Sequence, residues 1–417
     1  MHANEKLLFF ILLELAIIVL AGRLGGALAR RCGQTAAVGE IILGILLGPS
    51  LFGVLSPAGF AFVFHSAPPE PMLILSSLGL VLLMFQVGLE FDFNHLVERT
   101  NRAAVARVSI ACLALPFGFG FAFGYWSAPF LSPKAVPLYS ALFVATAFSI
   151  TALPILGRIM IDFDLTRTRL GVIAISAAAV NDVVGWLLLA LITTLVVSNF
   201  DGGRFALRVL GVALFALVCL KIARPLLKRA IARSTAAGSA LSANLLGGVL
   251  AAIFVAAMTT YQIGIFAIFG GFMLGVVLFD ETSFVAAWRE RVGQFVLVFF
   301  VPIFFTYTGL RTSIGGLDQA ADWGWCLVVI VLATAGKLGG AYLGARRSGL
   351  DHSESSILGF MMNTRALMEL IVINVGLDLG VISQKMFTML VIMAIVSTVA
   401  TTPALRYFLR RSNLVYA

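Results

Sequence analysis

Thirteen apolar segments follow one another along this 417-residue chain, at 7–22, 36–55, 72–91, 103–125, 137–157, 168–197, 205–222, 239–259, 263–279, 292–310, 323–345, 355–376 and 385–405. Few architectures accept such a pattern. Spanning a bilayer as a helix takes about 20 apolar residues, and a helix satisfies its own backbone hydrogen bonds in hydrocarbon. With 60% hydrophobic and only 12% charged residues, the chain carries more apolar surface than a soluble core can absorb. The expected fold is an all-α polytopic membrane protein of about 13 transmembrane helices. The first segment is kept as a span, because its basic cluster (Arg23, Arg30, Arg31) follows the apolar run, whereas a cleavable leader carries its charges in front.

Basic residues set the orientation. With the N-terminus outside, 21 Lys and Arg fall on the inner face and 6 on the outer, while Lys337 and Arg365 lie within spans. The bias predicts an outside N-terminus and a cytoplasmic C-terminus; the expected location is a bacterial inner (plasma) membrane. It also accounts for the net charge of +9 without nucleic acid. The four cysteines (Cys32, Cys112, Cys219, Cys326) have no paired spacing, and the four histidines fall in or near connections, so neither a disulfide framework nor a metal centre is indicated. The longest inner connection, around Lys221–Ser239, is basic and rich in Ala and Ser, and reads as a hinge between two halves. The chain stops soon after the last segment, so no cytosolic regulatory domain is expected on it.

Against this apolar background one side chain stands out. Asp182 is the only charged residue between Leu170 and Phe200. At 1.5 Å per residue it lies about 20 Å from Arg169 and about 29 Å from Asp201, deep in a hydrocarbon slab of about 30 Å. An ionisable group there marks an ion or substrate pathway by default; the plainer reading is a buried polar pair that fixes helix packing. Lys337, alone between Asp322 and Arg346, is the second deep charge, too far from either end for its ammonium to reach the interface comfortably.

Thirteen spans permit two six-helix inverted repeats around the seventh, whose mark is a pair of helices interrupted at matching positions. The fifth span of the first half contains Thr146, Ser149, Ile150, Thr151 and Pro154; the fifth of the second contains Asn363, Thr364, Arg365 and Glu369. Pro154 removes a helical hydrogen bond and frees a carbonyl near Ile150. Unwound backbone persists at that depth only where it is buried in protein or lines a cavity. Arg365 and Glu369, four residues apart, can pair along their helix.

Four stretches together resemble a known family, the monovalent cation:proton antiporter-2 family. They are Thr146–Arg158, Ser176–Trp186 with its Asn181-Asp182 pair, Phe304–Arg311, and Met361–Val372. The likeness covers essentially all of residues 7–410 and is closest to the membrane domain of plant cation/H⁺ exchangers and their bacterial relatives. It implies a secondary antiporter, not an enzyme, that exchanges Na⁺ or K⁺ for H⁺ by elevator-type alternating access, with two discontinuous crossing helices. It further implies a homodimer in the lipid bilayer with no cofactor beyond the transported ions. Residues 1–60 and 236–282 would form the dimerisation panel, 70–200 and 288–410 the core bundle, and 204–235 a linker helix and cytoplasmic hinge. Asp182 would be the essential cation ligand and Lys337 would point toward it. The resemblance is imperfect: electrogenic relatives carry two adjacent aspartates with the first paired to the lysine, whereas here Asn181 takes the first place and the lysine is kept. One proton per cation is the expected stoichiometry.

The chemistry of a deep aspartate fits that implication on its own terms. A proton or a dehydrated cation can each neutralise Asp182, but not both together, and competition for one carboxylate couples opposing fluxes. The hydroxyls of Ser149 and Thr151, a freed carbonyl near Ile150 and the Asn181 amide are oxygen ligands suited to Na⁺ or K⁺. Thr146, Pro154, Asn363, Thr364, Arg365 and Glu369 would support the crossing, and Glu90 would be either a guard of the cytoplasmic entrance or a solvated helix-end carboxylate. Two rivals use the same scaffold: a channel-like K⁺ efflux system needing a separate cytosolic regulatory subunit, and an organic-ion carrier. An intramembrane aspartyl protease needs two carboxylates sharing a proton, and no second Asp lies at mid-membrane.

Overall fold

The computed structural model describes residues 3–89, 102–163, 165, 168–198, 202–236, 238–365 and 367–411, and among these it contains helices and no strands. In chain order the main helices are α1 (Ala3–Arg31), α2 (Ala36–Leu46), α3 (Glu70–Leu89), α4 (Arg102–Leu131), α5 (Pro137–Ser149), α6 (Leu153–Asp162), α7 (Arg169–Ser198), α8 (Gly202–Val218), α9 (Arg224–Ala236), α10 (Ala243–Ile263), α11 (Ile268–Val276), α12 (Thr282–Trp288), α13 (Val301–Leu310), α14 (Ala320–Arg346), α15 (His352–Met362), α16 (Leu367–Asp378) and α17 (Gln384–Arg411). The fold is all-α and multi-spanning, as expected.

Nine helices among the described residues are long and apolar enough to cross a membrane. They coincide with nine of the thirteen expected segments. The other four segments, 36–55, 137–157, 263–279 and 355–376, are helical too, but as shorter or interrupted pieces. The basic stretch expected as a connection is largely helical: α8 continues through a π-helical turn at Cys219–Ala223 into α9, which runs as far as Ala236. Its Ala, Arg and Lys content suits a helix better than a loop.

The chain divides into two compact units. One comprises Met1–Val19, Ala61–Phe93 and Thr193–Tyr307. Within it α3 lies against α11, where a Cβ on Gly271 or Gly275 would come within 2.4 or 2.1 Å of the Val81 and Phe85 carbonyl oxygens. Phe85 packs edge-on to Trp288 at 4.7 Å between ring centroids.

The other unit comprises Leu20–Phe60, Asn94–Ile192 and Thr308–Ala417. Here α4 is pressed between α5 and α14 by two glycine rows. A Cβ at Gly120 or Gly124 of α4 would sit 2.7 or 2.8 Å from the Cα of Ala145 or Ala141 on α5. On α14, Gly336, Gly340 and Gly344 bring Pro116, Ala111 and Val108 of α4 equally near, at 2.8, 2.4 and 2.7 Å. Small residues four apart let helix backbones touch, which is how helices in lipid gain packing energy. At one end of the unit, Arg311 joins Asp378 at 2.6 Å and the Asn374 amide oxygen at 3.1 Å, fastening the end of α16 beside the end of α13.

Candidate functional site

Two helices are broken in this second unit, and the breaks are bonded to each other. The first helix stops at Ser149, continues extended through Ile150 (φ −72°, ψ 144°), and resumes as α6 at Leu153. Pro154 thus takes the second position of the new helix, where its missing N–H costs nothing. The second stops at Met362 and resumes at Leu367. The Ala152 N–H donates to the Thr364 carbonyl at 3.0 Å.

Breaking a helix inside an apolar interior exposes carbonyls that need donors. Two buried cations supply them at the end of α5. The Arg365 guanidinium donates to the carbonyls of Ala147 (3.2 Å) and Phe148 (3.0 Å), and also to that of Ala333 on α14 (3.0 Å). Lys337 Nζ donates to the carbonyls of Ser149 and, at 3.3 Å, Cys112. Positive groups at a helix C-terminus are also favoured by the helix dipole. Arg365 pairs with Glu369, in the first turn of α16, at 3.1 Å. All three charged side chains are fully buried.

Asp182 and Asn181, each 1% exposed, sit midway along α7. Three residues on, Gly185 receives the first break: a Cβ there would stand 2.7 Å from Cγ1 of Ile150. This glycine lays the unwound segment against α7 less than one turn from the aspartate. The carboxylates of Asp182 and Glu369 both lie within electrostatic reach of Lys337.

The polar side chains of the breaks differ in how their hydrogen bonds are used. Thr146 donates back to the Leu142 carbonyl at 2.9 Å, and Ser149 to those of Ala145 (2.8 Å) and Leu113 (3.2 Å). Thr364 donates to the Met361 carbonyl. By contrast, Thr151 Oγ1 and Asn363 Oδ1 are buried and make no hydrogen bond among the described residues. Buried polar atoms of that kind are costly unless something else binds them, so they and the lone pairs of Ser149 suit a stripped cation.

Asp182, Asn181, Ser149, Ile150, Thr151, Lys337, Thr146, Asn363, Thr364, Arg365 and Glu369 therefore all belong to this unit. Pro154 is placed by its backbone alone, and Glu90 lies outside the described residues. Two features escaped the reading of the sequence. Cys112, fully buried beside Lys337, was set aside for want of a partner cysteine; the Gly336, Gly340, Gly344 spacing on the lysine's own helix was the signal that α4 must lie there. Glu14, in the middle of α1 and 5% exposed, is a further deep carboxylate, in the first unit.

Residues 15–411 match the family model described as "Sodium/hydrogen exchanger, transmembrane". The chain belongs to the sodium/hydrogen exchanger family. Among its relatives is the Na(+)/H(+) antiporter NhaS4 of Synechocystis, 39% identical over 96% of this chain and 97% of that protein. Cation/H(+) antiporter 17 of Arabidopsis thaliana is 36% identical over 96% of this chain, which spans 48% of the plant protein's length. Among solved structures, the sodium proton antiporter MjNhaP1 from Methanocaldococcus jannaschii superposes with a TM-score of 0.57 over 97% of this chain and 99% of its own, at 16% identity. That likeness is one of fold. The family consists of transporters, which sets enzymatic readings aside, and it matches the resemblance read from the four motifs.

Proposed function

We propose that this exchanger moves Na⁺ or K⁺ against H⁺ across its membrane through one site, with Asp182 binding cation and proton in turn. Cation:proton antiport is the activity named for its relatives. The observation that carries the assignment to Asp182 is its position: a carboxylate 1% exposed at mid-helix, held against unwound backbone by Gly185 and within reach of Lys337.

The cycle follows from charge. Ionised Asp182 needs a positive partner in so apolar a setting. A cation arriving from one side displaces the proton and takes oxygen ligands from the carboxylate, Ser149, Thr151, the backbone near Ile150 and the Asn181 amide. On the other face a proton displaces the cation. Only the neutralised site crosses between faces, by elevator-type movement of the bundle that holds it. Lys337 competes with the cation for Asp182, and Arg365 with Glu369 keeps the crossing rigid. With a neutral amide at position 181, one proton is exchanged per cation.

Purified protein in liposomes with an internal pH dye tests this reading. Under an imposed proton gradient, Na⁺ or K⁺ drives proton movement and choline does not, Asp182→Ala abolishes it, and clamping the voltage leaves the rate unchanged. Exchange that survives Asp182→Ala overturns the assignment.

A further inference from the structure

We infer that Cys112 is a positioning residue of the exchange site, setting how far Lys337 reaches toward Asp182 and thereby the apparent affinity for the cation. This rests on the reading of Asp182 as the exchanging carboxylate.

Cys112 is where the glycine row of α14 forces contact: its Cα is 3.0 Å from where a Cβ on Gly340 would stand. It meets Lys337 through two polar contacts. Its carbonyl accepts from Nζ at 3.3 Å, and its thiol donates to the lysine's own carbonyl at 3.9 Å. The thiol also lies beside the Asn181 amide, whose oxygen and nitrogen have no conventional hydrogen bond among the described residues. So the sulfur stands beside both the ammonium and the residue that precedes Asp182. The charged groups around this point are Lys337 and Arg365 facing the thiol, with Asp182 and Glu369 facing the lysine.

An amide at position 181 cannot neutralise Lys337. The ammonium is instead tethered to the carbonyls of Cys112 and Ser149, with the thiol packed beside it. A lysine held in this way is a restrained competitor for Asp182. Taking the sulfur away gives the side chain room to swing toward the carboxylate, where it competes with the incoming cation more strongly.

The test is a double-mutant cycle on exchange in liposomes, reading KM for the cation separately from maximal rate. Cys112→Ala raises KM about five- to tenfold with maximal rate within twofold of wild type. Cys112→Ser, which keeps a donor of similar size, stays within twofold of wild type in both. In a Lys337→Gln background the Cys112→Ala effect disappears. Cys112→Val, which refills the space, keeps KM within twofold of wild type and serves if the smaller side chain prevents assembly. An unchanged KM in Cys112→Ala, a raised KM in Cys112→Val, or an equal rise without the lysine, overturns the inference. The Asp182→Ala assay is scored on whether exchange occurs at all, so the two readings fail separately.

Discussion

The Ala152 N–H and the Thr364 carbonyl are 3.0 Å apart, and this single backbone bond joins the two interrupted helices at the point where each has stopped being a helix. Unwound backbone in an apolar interior must find partners. Here part of the solution is mutual, and Arg365 and Lys337 supply the rest at the end of α5. The intramembrane cations are thus structural donors as well as charges near a carboxylate.

Arg365→Leu should therefore be among the most destabilising single changes in the chain. It leaves Glu369 as a buried charge without its arginine and withdraws donors from three carbonyls. Removing one member of a buried ion pair costs about 3–5 kcal/mol. Heating followed by size-exclusion chromatography should show a large fall in melting temperature. Replacing Glu369 by Gln as well should recover only part, because the carbonyls stay short of donors. A melting temperature within a degree of wild type would contradict this account of the crossing.

The glycine row on α14 makes a prediction with its own control. A methyl group on Gly340 would meet the Ala111 carbonyl oxygen at 2.4 Å, whereas one on the adjacent Gly339 would meet only the Leu115 side chain at 3.4 Å. Gly340→Ala should cost about 1–3 kcal/mol through overpacking. Gly339→Ala should be neutral or slightly stabilising, since Ala is the better helix former. The same thermal assay separates them, and equal effects would mean that the close approach of α4 and α14 is not required.

How much of this was legible beforehand depended on the kind of signal. The nine long spans were, because lipid demands long apolar helices and each leaves a clear run; the breaks were signalled by Pro154 and the polar cluster from Asn363 to Glu369 at matching places in the two halves, though a proline alone fits an ordinary kink as well. The partners of the charges were not. Lys337 is expected to point toward Asp182, but its donation to the carbonyls of Ser149 and Cys112 could not be read beforehand, because backbone acceptors carry no residue identity. Cys112 was marked only by the glycine spacing opposite it, and the Lys221–Ser239 stretch reads as a connection because basic residues cluster at helix ends and in loops alike.

Away from the crossing, Asp280 receives Arg224 at 2.9 Å and Lys228 at 2.5 Å. Burial pushes its carboxyl up, but the hydrogen bonds from Lys228 and Arg224 outweigh that and hold it below the usual carboxylate range. A depressed value means that its contribution is fully present above the unfolded pKa, near 4 for Asp, and is lost as pH falls through the lower folded value. Asp280→Asn should cost up to about 1 kcal/mol at pH 7, less in high salt. The difference from wild type should shrink in thermal melts taken below about pH 4. A gap that widens on acidification would contradict the pairing.

Thr151 and Thr146 should behave differently although both line the first break. Thr146 spends its hydroxyl on the Leu142 carbonyl, while Thr151 Oγ1 is buried without a bond among the described residues. Thr151→Val keeps the shape and removes an oxygen, so KM for the cation should rise about tenfold, equivalent to about 1.4 kcal/mol, with little change in maximal rate. Thr146→Val should leave KM within about twofold. The reverse order would place the cation elsewhere.

The most direct test of competition at one carboxylate is proton release on cation binding, measured with purified protein in detergent, a weak buffer and a pH indicator. Addition of the transported cation to wild type should release close to one proton per cation bound, and Asp182→Asn should release none. Cation binding without proton release, or the same release from Asp182→Asn, would contradict the account.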